Sequence, residues 1–124
     1  MPRQVEDRRE DGRKRIPAFV GATIVFVGAN GTEHRYPLIE LSASGGSFEL
    51  PARTPGVTQG AVFSGGRIVV GEIEIGVHLE IRHVTRGPGL VYECGVRFFP
   101  TCDEGRNEIT SLVARLSAVS AMQP

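Results

Sequence analysis

Between residues 72 and 82 the chain keeps strict time. Ile73, Ile75, Val77, Leu79 and Ile81 occupy every second position. Glu72, Glu74, His78, Glu80 and Arg82 fill most of the places between them. Side chains on a β-strand point to opposite faces in turn, so this period of two predicts a strand with one face buried and the other in water. A chain with such a strand must supply more sheet to cover its apolar face. At 124 residues it has room for one such core and not for two.

The rest of the sequence offers that sheet. Ala18–Val27 is rich in β-branched and aromatic residues and predicts a long strand. Asn30-Gly31 follows and predicts a type I′ hairpin turn, with positive φ at both positions. A second strand is expected from about Thr32 to Leu41, with Pro37 at an edge or bulge because it lacks an N–H. Ser42–Gly46 reads as a turn in which Gly45 and Gly46 adopt backbone angles closed to other residues. Ser47–Leu50 reads as a short third strand. Residues 51–66, with two Pro and four Gly, read mostly as loop. Strand signal returns at Arg67 and continues to Val84, with Gly71 and Gly76 as candidate breaks. Gly87-Pro88-Gly89 marks a turn, and Leu90–Phe99 is the last strand, ended by Pro100.

Thr101-Cys102-Asp103-Glu104 fits a capping box with Thr101 as N-cap and Glu104 reaching back. The helix it opens is expected to reach about Ser120, burying the stripe Ile109, Leu112, Val113, Leu116 and Val119 against the mouth or edge of the sheet. The resulting class is mainly β: a small six- to seven-stranded antiparallel barrel with one C-terminal α-helix. Residues 1–7 read as a flexible N-terminus, 8–120 as one domain, and 121–124 as a tail.

Charge is distributed unevenly. The formal net charge is zero, yet residues 1–15 hold six Lys/Arg against four Asp/Glu. Within that stretch, residues 8–15 form a basic arm, with Gly12 and Pro17 arguing against a helix. A basic arm on a slightly acidic body favours an anionic ligand at the arm and argues against a whole-domain nucleic-acid surface. The strand faces also lack the aromatic stacking residues that nucleic-acid barrels use. A solvated tail is the plain alternative for the arm.

No catalytic set emerges. Ser42 and Ser44 have no evident His/Asp partners and no GxSxG elbow. His78 and the glutamates around it read as a wet strand face. Asp103, Glu104 and Glu108 suit the first turns of a helix, where the macrodipole favours anions. Neither GxGxxG nor a P-loop opens a helix, and no Cys/His spacing fits a metal. Cys94 and Cys102 read as free buried thiols of a reducing cytoplasm, with a disulfide as the alternative. The N-terminus lacks the apolar run of a signal peptide, and 16–29 falls short of a membrane span. The expectation is a cytoplasmic protein with no membrane partner and no cofactor.

Two stretches carry the remaining chemistry. Arg9 and Arg13 are spaced RxxxR; guanidinium groups bind phosphate bidentately and donate to guanine O6 and N7. Glu40-Leu41-Ser42-Ala43-Ser44-Gly45 sets a carboxylate at a strand end, where it can accept guanine N–H bonds, beside a hydroxyl and a glycine. As a turn alone, Ser and Gly are favoured on conformational grounds.

Together, and in this order, the two stretches resemble the PilZ domain family, which carries RxxxR before the first barrel strand and [D/N]xSxxG at the end of the second. Cys94-Gly95-Val96-Arg97-Phe98-Phe99 and the helix after it resemble the close of the same domain, so the likeness runs over nearly all of residues 8–120. PilZ domains are bacterial receptors for cyclic di-GMP, with a six-stranded antiparallel barrel. The resemblance implies that Arg9 and Arg13 contact phosphate and guanine, that Ser42 helps hold the ligand, and that Gly45 allows close approach, with Arg8 as a neighbouring candidate. It implies a second-messenger receptor or adaptor, not an enzyme, in which the nucleotide orders the arm and alters binding to an effector protein yet to be identified. Glu40 departs from the pattern, standing where the family has Asp or Asn and setting its carboxylate one methylene farther out. A strained hydrogen bond of that kind costs about 1–3 kcal/mol. The alternative reading is therefore a PilZ-like protein-interaction adaptor, for pili or motility, that no longer binds the nucleotide.

Overall fold

The computed structural model describes residues 14–16, 20–28, 30–52, 54–87, 89 and 91–122. The N-terminal stretch with Arg8, Arg9 and Arg13 lies outside them, as do the side chain of Val119 and residues 123–124. The described residues form seven strands and one helix: β1 (Lys14–Arg15), β2 (Ala22–Val27), β3 (Glu33–Leu41), β4 (Gly45–Leu50), β5 (Val62–Val70), β6 (Ile73–Arg86), β7 (Tyr92–Pro100) and α1 (Asp103–Met122). All pairings are antiparallel, in the order β3-β2-β5-β6-β7-β4, and a β3–β4 pairing closes this ring into a six-stranded barrel. β1 adds to β3 on the edge opposite β4.

Alternation explains the interior. Ile24 and Phe26 of β2, Phe48 and Leu50 of β4, Ile75–Ile81 at odd positions of β6, and Cys94, Val96 and Phe98 of β7 all point into one core. Phe26 is its hub, with ring centroids 4.6 Å from Phe63, 5.2 Å from His34, and 6.0 Å from both Tyr36 and Phe48. Val25 is also buried, but on the outer face. It is flanked by its strand partners Arg35 and Arg67, whose guanidinium groups meet Glu33 at 3.7 and 3.4 Å.

Several boundaries differ from the sequence reading, each for a local reason. The strand expected over Ala18–Val27 is β2, which starts at Ala22, after Val20 and Gly21; residues 18 and 19 lie outside the described residues. The Asn30-Gly31 turn is not type I′: among the described residues only glycines have positive φ, so Asn30 does not. Gly31 N–H instead donates to the Gly28 carbonyl at 2.9 Å, and Gly31 adopts φ 83° in a three-residue loop. β5 begins at Val62, five residues before Arg67, because a bulge near Gly65 lets the strand run through the glycines. Gly76 lies within β6 and Gly71 makes the turn. A second bulge, at Arg82, shifts the inward phase of β6 from Ile81 to Val84.

Thr101 is not the N-cap. The helix starts at Asp103, and Cys102 supplies the first helical carbonyl, accepting Arg106 N–H at 3.2 Å. Thr101 is tied to β6 instead, donating its N–H to Gly76 O at 3.3 Å. Ile109, Leu112 and Leu116 then bury the helix stripe in the core, with Val113 half-buried, and α1 touches β1, β6 and β7.

Candidate functional site

β3 carries the site because it changes partners along its length. Its first half, Glu33–Pro37, pairs with β2. Pro37 is the last residue of that pairing, and Leu38 is the first to pair with β4. A bulge at Ile39 keeps Leu38 and Leu41 inward and turns Glu40 outward. On the freed edge Lys14 pairs with Leu41 and Arg15 with Glu40, and Ile16 N–H donates to Ile39 O at 2.8 Å. The chain end that follows Arg13 is therefore stitched to the segment holding Glu40 and leading into Ser42.

The Ser42–Gly45 turn is built by its own serine. Ser42 N–H donates to Gly45 O at 2.7 Å, and the Ser42 hydroxyl also donates there, at 3.1 Å. The hydroxyl in turn accepts N–H bonds from Ser44 at 3.3 Å and Gly45 at 3.1 Å. Both acceptor sites are thus engaged by the turn. The hydroxyl proton is not needed there, since Gly45 O keeps the shorter bond from Ser42 N–H. Ser42 can redirect that proton to an incoming acceptor without opening the turn.

The two glycines owe their place to packing rather than to backbone angle. Neither Gly45 nor Gly46 has positive φ; both are strand residues of β4. A Cβ at Gly45 would collide with Val96 O on β7, and one at Gly46 with Glu40 O on β3. The strands can close around the turn only because both positions lack side chains.

Glu40 lies on the outer face and bonds to Ser47, whose hydroxyl donates to Oε1 at 3.4 Å. Ser47 is completely buried and is the one buried polar side chain among the described residues. Ser47 pairs with Gly95, and Gly95 pairs with His83. Glu40, Ser47, Gly95 and His83 therefore form one outward-facing row across four strands. In the neighbouring row, Gly45 pairs with Arg97, and Arg97 with Glu80. The Arg97 guanidinium lies 5.1 Å from the Phe99 ring centroid on the same face.

The sequence reading placed Glu40, Ser42 and Gly45 together, and they lie together on the β3–β4 connection; Arg8, Arg9 and Arg13 fall outside the described residues. Ser47, Gly95, Arg97 and His83 were not among the expected site residues. The one signal for them was Gly95 inside an otherwise strong strand, since a strand glycine marks close approach by another group. Cys94 is a free, buried thiol as expected, whereas Cys102 is free but exposed. An apolar groove lined by Val27, His34, Pro55, Val62 and Phe63 lies at the far end of β3 from Ser42, and its described lining has no Lys or Arg to meet an anion. No described helix is long and apolar enough to cross a membrane.

No family model matches the sequence, and no curated protein does. Solved structures do. The MrkH–c-di-GMP complex of K. pneumonia superposes with a TM-score of 0.81 at 14% identity, over 90% of this chain and 52% of that one. The PilZ domain of Escherichia coli YcgR, solved with c-di-GMP, gives 0.74 at 14% identity, over 87% of this chain and 90% of that one. The Bacillus subtilis inhibitor of motility (MotI/DgrA) gives 0.64 at 13%, over 86% and 49%. The fold is that of the PilZ domain, and the chain spans about half the length of the MrkH and MotI chains.

Proposed function

We propose that this chain is a non-catalytic receptor module for cyclic di-GMP, and that the nucleotide binds between the basic arm and the Glu40–Gly45 connection. One observation carries the reading: the register of β1 on β3, which ties the continuation of the arm to Glu40 and Leu41. Arg13 is the residue before Lys14 in the sequence, and in this reading the RxxxR pair reaches the ligand from that side. The PilZ fold, and the c-di-GMP in the MrkH and YcgR structures, support the ligand class. In this reading Arg9 and Arg13, with Arg8 beside them, grip phosphate and guanine. Glu40 accepts from a guanine edge, and Ser42 turns its hydroxyl proton to the ligand. Gly45, which has no side chain, allows close approach. Ordering of the arm then alters the surface shown to an effector protein. Calorimetric titration of cyclic di-GMP into wild type, Arg13→Ala and Ser42→Ala tests it: heat with wild type, weakened in both variants, is the expected result. A folded wild type that gives no heat up to roughly tens of micromolar ends the reading.

The second reading is an adaptor that has lost the nucleotide. Its support is Glu40, whose longer side chain already bonds Ser47. If only Glu40→Asp binds cyclic di-GMP, this reading replaces the first.

A further inference from the structure

We infer that His83 is a stacking platform for one base of the nucleotide, an inference that rests on the site proposed above. The row that begins at Glu40 ends at His83, and neither position between them projects a side chain into solvent. Ser47 is wholly buried and Gly95 has no side chain. The space a Cβ would fill at Gly95 is taken by the imidazole itself, with Cδ2 at 2.6 Å and Cε1 at 2.8 Å from that point. Nε2 is nearer still, so the Nε2 end of the ring rests over Gly95. Thr85 Oγ1, 3.4 Å from Nδ1, flanks it. His83 is nonetheless exposed, so one side of the ring rests on backbone while the residue still faces solvent.

A flat, supported and solvent-facing ring is what a purine stacks on, and histidine serves in this way in nucleic-acid recognition. The distance fits a ligand with two bases. Glu40 and His83 are three strand spacings apart, about 14 Å at roughly 4.8 Å each. That exceeds one purine, but two bases joined through a sugar–phosphate ring can span it. With one guanine held at Glu40 and Ser42, the second would cross Ser47 and Gly95 to reach the imidazole. Arg97, in the adjacent row, would stand beside the bridge between them.

The plain alternative is that the imidazole only fills the space over Gly95. The two are separated by titrating cyclic di-GMP into wild type, Ser42→Ala, His83→Ala and His83→Phe, with thermal unfolding of each. The expected result is a loss of about 10- to 100-fold for His83→Ala, near-retention in His83→Phe, and unchanged unfolding midpoints. In wild type the His83 ring protons shift on saturation with ligand, through the ring current of the stacked base. Wild-type affinity in His83→Ala, or ring protons that do not move, overturns the inference. If Ser42→Ala still weakens binding in that case, the site stands and only the platform falls. If wild type binds nothing, both fall together.

Discussion

Gly46 and Glu40 are joined so closely that the carbonyl oxygen of one occupies the place a side chain would need on the other. Gly45 stands in the same relation to Val96 on the opposite side of β4. Gly45→Ala and Gly46→Ala should each lower stability by about 1–3 kcal/mol, since backbone cannot give way as a flexible side chain can. Urea denaturation checks this. A control at Gly65, where a Cβ meets nothing within 4 Å, should change stability far less.

Phe26 touches four aromatic rings and is fully buried. Phe26→Ala should cost about 3–5 kcal/mol, the usual penalty for emptying an aromatic site in a close-packed core. Chemical denaturation reads the loss, and near-ultraviolet circular dichroism reports the loosening of Tyr36.

The two thiols should behave differently. Cys94 is buried, and burial, aided by the charge of Glu93, pushes its thiol up to about 11 from an ordinary 9.0. Cys102 is exposed. A thiol reagent should therefore label Cys102 promptly in the native protein and Cys94 only after denaturant is added. The same shift gives a pH dependence. Above pH 9 the unfolded thiol loses its proton while the folded one keeps it, so the unfolded state is favoured. The contribution is level below pH 9, falls by about 2–3 kcal/mol between pH 9 and 11, and is level again beyond. Cys94→Ala should flatten that part of the stability profile.

Cys102 caps α1 without the oxygen that a good N-cap offers. Cys102→Ser should raise stability by about 0.5–1 kcal/mol, by satisfying an amide of the first turn. Thr101→Ala should leave the helix largely intact, because Thr101 is bound to Gly76 rather than to Glu104. Thermal unfolding followed at 222 nm compares the two.

These positions also show where the sequence was legible. Ile73–Ile81 and the stripe Ile109, Leu112 and Leu116 were readable because a repeating pattern fixes which way each side chain points. Bulges break such patterns without any marker residue, so the change of phase at Arg82 and the turn of Glu40 outward at Ile39 were not visible. Thr101 satisfied a local capping rule, but its amide and hydroxyl found a carbonyl 25 residues away. At the site, Ser42 and Gly45 stood out as a motif, whereas Ser47, Gly95 and His83 are neighbours only through pairings between β4, β7 and β6. Cross-strand register depends on the closed barrel, and no single stretch of sequence records it. Gly45 and Gly46 were rightly marked as special, but for a torsional reason where the cause is crowding.

The short pairing of β1 with β3 has one more consequence. Past Pro37, β2 no longer covers its edge of β3, and Lys14, Arg15 and Ile16 take over that task at Glu40, Leu41 and Ile39. An uncovered strand edge is a template for joining another chain. The start of the domain thus acts as a selvedge, keeping an otherwise ring-closed barrel from ravelling into its neighbours. A chain cut back to residue 20 should self-associate more strongly with rising concentration on size-exclusion chromatography than the chain that keeps residues 1–19.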